Sequence, residues 1–463
     1  MKSRTLIGWG IGSFTSASLV GAVGLLHLRF MTDSLGIAIS LAGLLVVVSK
    51  IYDAAIDPVM GLISSHTHTP FGRYRPFLAA GGLLSALSMA LLFNVPRSLH
   101  GSGVIVFTGL SLLLFSTAYT MFRIPYLAIG RSITQDFNER SRLMAFSVYG
   151  SSLGGLAATA AAPFLLAHMG SDREGHGLVA LILASLIALG AIASFLLIEE
   201  KDGGLPEKHG LSPRLAWEAV RANQPFRCLM GFKITMFAAL ATHMAAIPYY
   251  TRHVLHAPDT SLGGYFLSQT IAMMVSQAIW MRLARRVGRR NGLLVAAIMQ
   301  AVVMMAWCLV PVGQPQPWMQ MLGALAGVSS GGIFLGLYTV LTDTMDHARQ
   351  LSGDRGREGI LAGVFVMTEK ATAAFGTFLF STTLGLVGFT SAKDAGIQAQ
   401  PAGVVMAINV TLWILPCLTA TVACLFLRAY RLAPSAAPVV PPVVPPVAQR
   451  DDPAGGLLGA KKI

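Results

Sequence analysis

Two carboxylates four residues apart inside an apolar run are the side chains of this sequence best placed to do chemistry. Asp53 and Asp57 stand in LLVVVSKIYDAAIDPVMGLISS, and in a helix that spacing puts both on one face. A carboxylate in hydrocarbon costs roughly 2.5–3.5 kcal/mol on insertion scales, so the pair is expected to look away from lipid, into a protein interior. Two carboxylates a turn apart also repel, and they relieve this by sharing a cation or by one of them taking a proton. Na⁺ or H⁺ is the expected partner, with Asp53 and Asp57 as metal ligands if the ion is sodium. The other reading is that resident basic side chains neutralise the pair and hold helices together.

Further polar residues interrupt apolar runs elsewhere. STAYTMFRIPYLAIG holds Thr120 and Arg123, three apart and so on one side of a helix. Thr120 adds a neutral oxygen to a cation site. Arg123 suits an anionic group on a solute, or is the internal partner of Asp53 or Asp57. Pro125 predicts a kink. GVFVMTEKATAAFGTF holds Glu369 and Lys370, whose directions on a helix differ by about a quarter turn, so only one need face a cavity. Asp53, Asp57, Glu369, Arg123 and Lys370 make three acids against two bases, and one added cation or proton balances them. Lys233 is expected to snorkel to the membrane surface instead of joining this set. His27 and His243 are expected to be hydrogen-bonded packing residues.

The elements that must carry these side chains follow from composition. The chain has 463 residues, 54% hydrophobic and 12% charged, more apolar surface than a soluble protein of this length can hide. Apolar stretches recur at about 6–31, 37–62, 77–95, 103–129, 143–168, 177–198, 226–250, 260–284, 291–312, 317–342, 360–388 and 402–428. Backbone polar groups in hydrocarbon need internal partners, so these are predicted to be helices. The first stretch is long, lacks an A-x-A site and precedes further spans, which predicts a retained span and not a cleaved leader. The longest polar interruption, 199–225, divides the spans six and six. The predicted architecture is therefore all-α and membrane-integral, with about twelve transmembrane helices in two six-helix bundles, 1–198 and 226–430. A central cytoplasmic loop, 199–225, joins them, and a Pro-rich disordered cytoplasmic tail, 431–463, follows. A lipid bilayer is the expected partner.

The net charge of +13 sits in short loops between spans. It reads as a topology signal and not as a nucleic-acid surface. Arg73 and Arg75, Arg131, Arg140 and Arg142, then RLARRVGRR, then Arg349, Arg355 and Arg357 follow the even-numbered spans. Those exits and both termini are expected to be cytoplasmic. The four cysteines, Cys228, Cys308, Cys417 and Cys424, show no metal spacing and are expected to be buried thiols.

DAAIDPVMGLISSHTHTPFGRYRP, RIPYLAIGRSITQDFNERSRL, RLARRVGRR and DTMDHARQLSGDRGREG occur in this order. Together with IGWGIGSF and RFMTDSLGI in the first span, they resemble the glycoside–pentoside–hexuronide:cation symporters, the melibiose permease-like branch of the major facilitator superfamily. The match covers nearly the whole chain to about 428. The resemblance implies the superfamily fold, a bacterial inner-membrane location, no cofactor beyond Na⁺ or H⁺ as coupling ion, and a monomer. It also implies that Asp53, Asp57 and Thr120 bind the cation and that Lys370 is the family's span 11 lysine. The family's cation-site asparagine appears as Ile56. Its sugar-binding side chains appear as Ala17, Arg123 and Val148, an Ala and an Arg for two aspartates and a Val for an arginine. The substrate cavity, lined by Ala17, Arg123, Val148, Glu369 and Lys370, is thus not built for a melibiose-like disaccharide, because unpaired buried hydroxyls cost about 1–3 kcal/mol each. Gating is implied for Gly72, Arg73 and Arg75 between spans 2 and 3, and for Asp343, Asp346, Arg355 and Glu358 in the second half.

The expected function is cation-coupled symport of a small organic solute by alternating access. Two readings compete within and outside transport: an uncoupled uniporter or exporter of an amphipathic or anionic solute, and a non-transporting membrane scaffold or receptor. An enzyme is not expected, since no HExxH, GxSxG, Walker A or Rossmann pattern stands in a suitable context.

Overall fold

The computed structural model describes residues 3–133, 136–200, 213–352, 356–391 and 400–431. Twelve long helical segments account for nearly all of them. Span 1 is Ser3–Ala22, prolonged by π-turns at Val23–His27 and Phe30–Ser34. Span 2 is Ile39–His66, span 3 Arg75–Phe93 and span 4 Ser102–Ser132. Span 5 runs Phe137–Leu156, Ala157–Ala161 and Ala162–Met169, and span 6 is Arg173–Leu197. Span 7 is Gln224–His253, span 8 Asp259–Val287, span 9 Arg289–Ala306, span 10 Pro315–Ser352 and span 11 Gly356–Leu386. Span 12 runs Ala402–Asn409, Val410–Ile414 and Leu415–Ala429. Ten of these have the length and composition to cross a membrane; spans 8 and 11, of 29 and 31 residues, complete the set. Pro58 and Pro125 lie inside continuous helices. Within the predicted central loop, Pro213–Ala222 is a short helix.

The halves repeat one packing plan. In the first, span 1 packs on 5 and 6, span 2 on 4, and span 3 on 4 and 6. In the second, span 7 packs on 11 and 12, span 8 on 10, and span 9 on 10 and 12. The two plans coincide when six is added to each number, the signature of a duplicated six-helix bundle. Across the boundary, span 2 meets span 11 and span 5 meets span 8. Small residues permit that approach: a Cβ at Gly43 would fall 1.7 Å from Ser381 Oγ, and one at Gly385 2.9 Å from Ser40 Cβ.

One apolar cluster joins the halves at the end where spans 1 and 2 and spans 7 and 8 connect. It includes Leu26, Phe30, Phe93, Tyr249, Phe266, Trp307 and Phe380. We call this the sealed end. At the opposite end, the divided end, the core splits into one cluster around Trp9, Phe122 and Tyr126 of the first half and another around Phe232, Trp280 and Phe365 of the second. All four cysteines are free thiols; Cys424 is buried as expected, whereas Cys308 is exposed.

Candidate functional site

The helical spacing of span 2 brings Asp53 and Asp57 to one point beside span 4. The Thr120 hydroxyl oxygen lies 2.8 Å from Asp53 Oδ1 and 3.0 Å from Asp57 Oδ1. The other two carboxylate oxygens face the second half of the protein. There Lys370 Nζ, on span 11, stands 3.1 Å from Asp53 Oδ2 and 2.5 Å from Asp57 Oδ2. Asp53 is 2% exposed, while Asp57 and Lys370 keep 23% and 31% of their side chains accessible. The pair thus faces the interior, at the boundary between halves and in reach of water, with an ammonium bridging it.

Arg123 partners neither aspartate in this conformation. Its guanidinium donates to Ser16 Oγ at 3.2 Å and lies 5.9 Å from the Tyr126 ring centre. Lys233 departs from expectation altogether. It is fully buried, donates to the Phe365 carbonyl at 2.5 Å, meets Glu369 Oε2 at 3.3 Å and stands 3.5 Å above the Phe365 ring. A carboxylate, a carbonyl and a ring face held it inside more strongly than the membrane surface could draw it out. Glu369 keeps 43% of its side chain accessible. Arg123 of span 4 and Glu369 of span 11 are partly exposed, and Tyr338 of span 10 is half-exposed.

These positions revise the charge count. Lys233 joins the set, and Lys50, partly buried one turn before Asp53, is a further base within span 2. Among the described residues the middle parts of the spans, away from the charged cluster at the sealed end, then hold three acids, Asp53, Asp57 and Glu369, against four bases, Lys50, Arg123, Lys233 and Lys370. The expected deficit of one positive charge is absent. Ala17 is partly exposed and Val148 exposed. His243 is hydrogen-bonded as expected, Nδ1 to the Leu412 carbonyl at 2.6 Å. His27 is not: neither ring nitrogen has a hydrogen-bond partner among the described residues, and the ring packs against Phe93.

A second charged cluster, unforeseen from sequence, lies at the sealed end. Arg29 of span 1 grips Asp259 of span 8 through two bonds, 2.5 Å and 3.1 Å. Asp33 faces Arg252 at 3.3 Å and His253 at 3.6 Å, both on span 7, and lies 3.8 Å from Arg29. The Thr32 and Tyr249 hydroxyls meet at 2.9 Å, and Ser171 donates to Asp259. Every one of these links except Arg29–Asp33 crosses between the halves. The sequence signal was Arg29 and Asp33, four apart at the end of an apolar stretch on the side expected to be poor in bases.

Among the described residues assigned to gating, the contacts stay within one half. Backbone N–H groups of Arg73, Tyr74 and Arg75 converge on the Glu200 carboxylate at 3.0–3.2 Å, the charge expected at a helix N-terminus. Gly72 takes φ +106°, and a Cβ there would fall 2.3 Å from Glu200 Oε2, so glycine lets the loop close on that carboxylate. The Arg75 guanidinium donates to the Phe195 carbonyl at 2.8 Å. In the second half Arg289 pairs with Asp343, and Asp346 is exposed. Arg355 lies outside the described residues, and Glu358 is described in its backbone alone.

The family model described as MFS/sugar transport protein matches residues 8–433. The inner membrane symporter YicJ of Escherichia coli (strain K12) is 24% identical over 93% of this chain and 93% of its own. The isoprimeverose transporter of Lactiplantibacillus pentosus is 25% identical over 81% of this chain and 78% of its own. Among solved structures, a bacterial homologue of the human lysosomal transporter Spinster, in an inward-facing and unoccupied conformation, superposes with TM-score 0.68. It does so at 13% identity over 94% of this chain and 100% of that one, a likeness of fold. A duplicated six-helix plan, a carboxylate pair at the boundary between halves and a full-length family match lead to one assignment: the chain is a multi-pass membrane transporter, not an enzyme, and belongs to the glycoside–pentoside–hexuronide:cation symporters of the major facilitator superfamily.

Proposed function

We propose that the protein is a proton-coupled symporter that carries a small organic solute by alternating access, with Asp53 and Asp57 as the proton site. The observation that carries this reading is the bridging of that pair by a base from the opposite half, Lys370. Its ammonium stands where a coupling cation would sit. When Asp53 or Asp57 takes a proton, the claim of the pair on Lys370 weakens, and so does the tie between the halves. Proton occupancy is thereby linked to rocking, and by reciprocity a solute that favours the same conformation strengthens proton binding.

Two features favour H⁺ over Na⁺. The single Thr120 proton can serve only one of the two carboxylate oxygens within 3.0 Å; a proton on the other carboxyl lets it donate to Thr120 and satisfies both contacts. A sodium ion must replace its hydration shell with oxygens, and Ile56 offers none where the family has an asparagine. Arg123 stands apart from the carboxylate pair, which speaks against a uniporter in which it fills the cation's place. The base-rich loops assign the divided end to the cytoplasm, making this the inward-facing conformation with the ion pairs of the sealed end as its external gate.

One relative is named a symporter and another a transporter of isoprimeverose. The test is uptake in proteoliposomes of labelled sugars and organic acids, with a pH gradient or a Na⁺ gradient imposed separately. Concentrative uptake should follow the pH gradient and vanish in Asp53→Asn and Asp57→Asn. Uptake driven by Na⁺ alone would transfer the site to sodium, and accumulation in both variants would end the assignment.

A further inference from the structure

We infer that the carried solute is anionic, and that Arg123 holds its carboxylate, sulfonate or phosphate group; this rests on the reading of the chamber between the halves as the transport path. The argument is one of charge. Each interior acid already has a base: Asp53 and Asp57 share Lys370, and Glu369 has Lys233. Arg123 has no acid among the described residues; its one hydrogen-bond acceptor is the neutral Ser16 hydroxyl. Lys50, on the carboxylate helix, likewise has no ion pair among them. A guanidinium presents five donors in a fixed fork, and one bond to Ser16 leaves most of that fork for a ligand. Carboxylate, sulfonate and phosphate groups match its geometry, which sugar hydroxyls do not.

The charge of the load points the same way. The charged side chains in the middle of the spans, Asp53, Asp57 and Glu369 against Lys50, Arg123, Lys233 and Lys370, sum to +1. A proton with a neutral solute raises it to +2 at the moment the chamber closes and its effective dielectric falls, when like charges repel most. A proton with a monoanion leaves it at +1. Closing the chamber on that load therefore adds no charge, and the transport cycle moves none across the membrane. The Arg123 site and the Asp53–Asp57 site lie on the same side of span 4, since Thr120 and Arg123 are three residues apart. The two loads thus attract one another directly as well as through the conformational change.

Two measurements test this and separate its failure from failure of the symport reading. The first needs no substrate. Purified protein in proteoliposomes on a solid-supported membrane is given a proton-concentration jump, and the pH midpoint of the resulting charge displacement is read. Arg123→Gln removes one positive charge about a helical turn from the proton site, so the variant should bind the proton on the order of tenfold more tightly. An unchanged or lowered midpoint overturns the inference. An unaltered displacement in Asp53→Asn and Asp57→Asn overturns the symport reading instead. The second is thermal stabilisation of the detergent-solubilised protein by D-glucuronate, a sugar sulfonate and octanoate, against glucose and octanol. The anions should stabilise the parent and lose at least tenfold in apparent affinity in Arg123→Gln. Stabilisation by glucose or octanol equal to that of their charged counterparts, or anion binding that survives Arg123→Gln, overturns it. Binding of no anion in the panel overturns it as well. Glucuronate against octanoate separates a polar anionic solute from an amphipathic one.

Discussion

The protein holds two charged clusters made from the same chemistry, and they differ in their access to water. In the central one Asp53 and Asp57 of the first half meet Lys370 of the second. At the sealed end Arg29 and Asp33 of the first half meet Asp259, Arg252 and His253 of the second. Lys370 and Asp57 keep 31% and 23% of their side chains accessible beside a buried Asp53 at 2%; Arg29, Asp33 and Asp259 keep 2%, 3% and 8%. Burial strengthens attraction between charges and raises still more the cost of leaving one alone. In the proposed cycle the dry cluster is therefore a latch that holds or opens as a unit. In the same proposed cycle the wetter one exchanges its ammonium for a proton. A transporter needs both behaviours, and here exposure, not residue type, separates them.

The sharpest way to break this comparison is to remove the exchangeable charge. Asp53→Asn or Asp57→Asn keeps the shape and deletes the proposed proton site. Under a pH gradient of two units, one-to-one coupling permits about 100-fold accumulation, and the variants should fall to equilibration while still reaching the membrane. Steady-state uptake of a transported solute in proteoliposomes reads the outcome. Retained accumulation in both variants would make the central cluster merely structural.

Next in size is the latch. Arg29→Ala strands the carboxylate of Asp259 in a nearly dry site, a cost of about 3–5 kcal/mol carried by the sealed conformation alone. The sealed end should open. Modification of a cysteine introduced at Thr32, reached from the side on which spans 1 and 2 connect, should rise in the Arg29→Ala background. Replacing both members with a methionine pair should restore protection. If accessibility does not change, the cluster does not control that end.

A third prediction compares the clusters through Lys370. Lys370→Gln removes a positive charge that stands within 3.1 Å of both carboxylates. Proton affinity of the pair should increase about tenfold or more, because the charge that favoured their ionised form is gone. The pH midpoint of charge displacement reads it directly, and it should move the same way as in Arg123→Gln but further. A smaller shift than in Arg123→Gln would mean that Lys370 is not the resident occupant of the proton site.

Much of this was legible in the sequence, for a physical reason. Charges within apolar runs have few causes, so Asp53, Asp57, Thr120 and Arg123 announced themselves, and the twelve spans followed from hydropathy. What stayed hidden depended on partners far along the chain. Asp259 is 230 residues from Arg29, and nothing local to either tells that a bundle boundary brings them together. Lys233 sits ten residues into its helix, where snorkelling is a sound default, and only the packing of span 11 shows the ring, carbonyl and carboxylate that hold it. Glu369 and Lys370, as neighbours, left open which of them faces Asp53 and Asp57; helix rotation, set by packing of span 11 on spans 2 and 7, chose Lys370. That choice, with Lys233 and Lys50, turned an expected shortage of positive charge into an excess.

The smallest expected effect tests whether exposure is the governing variable. Arg97 and Glu174 pair between the span 3–4 connection and the start of span 6, with 74% and 66% of their side chains accessible. By contact alone this bridge ranks with Arg29–Asp259. By the argument from water it should be worth about 0.2–1 kcal/mol at most, since solvent screens the pair and both side chains give up rotamer freedom to form it. Arg97→Ala should therefore change neither accumulation nor accessibility of the sealed end, and its thermal midpoint should stay within a degree or two of the parent's, with the difference shrinking as salt is added. A loss comparable to that of Arg29→Ala would mean that contact, not burial, sets the worth of these bridges, and the distinction between latch and exchangeable cluster would lose its physical basis.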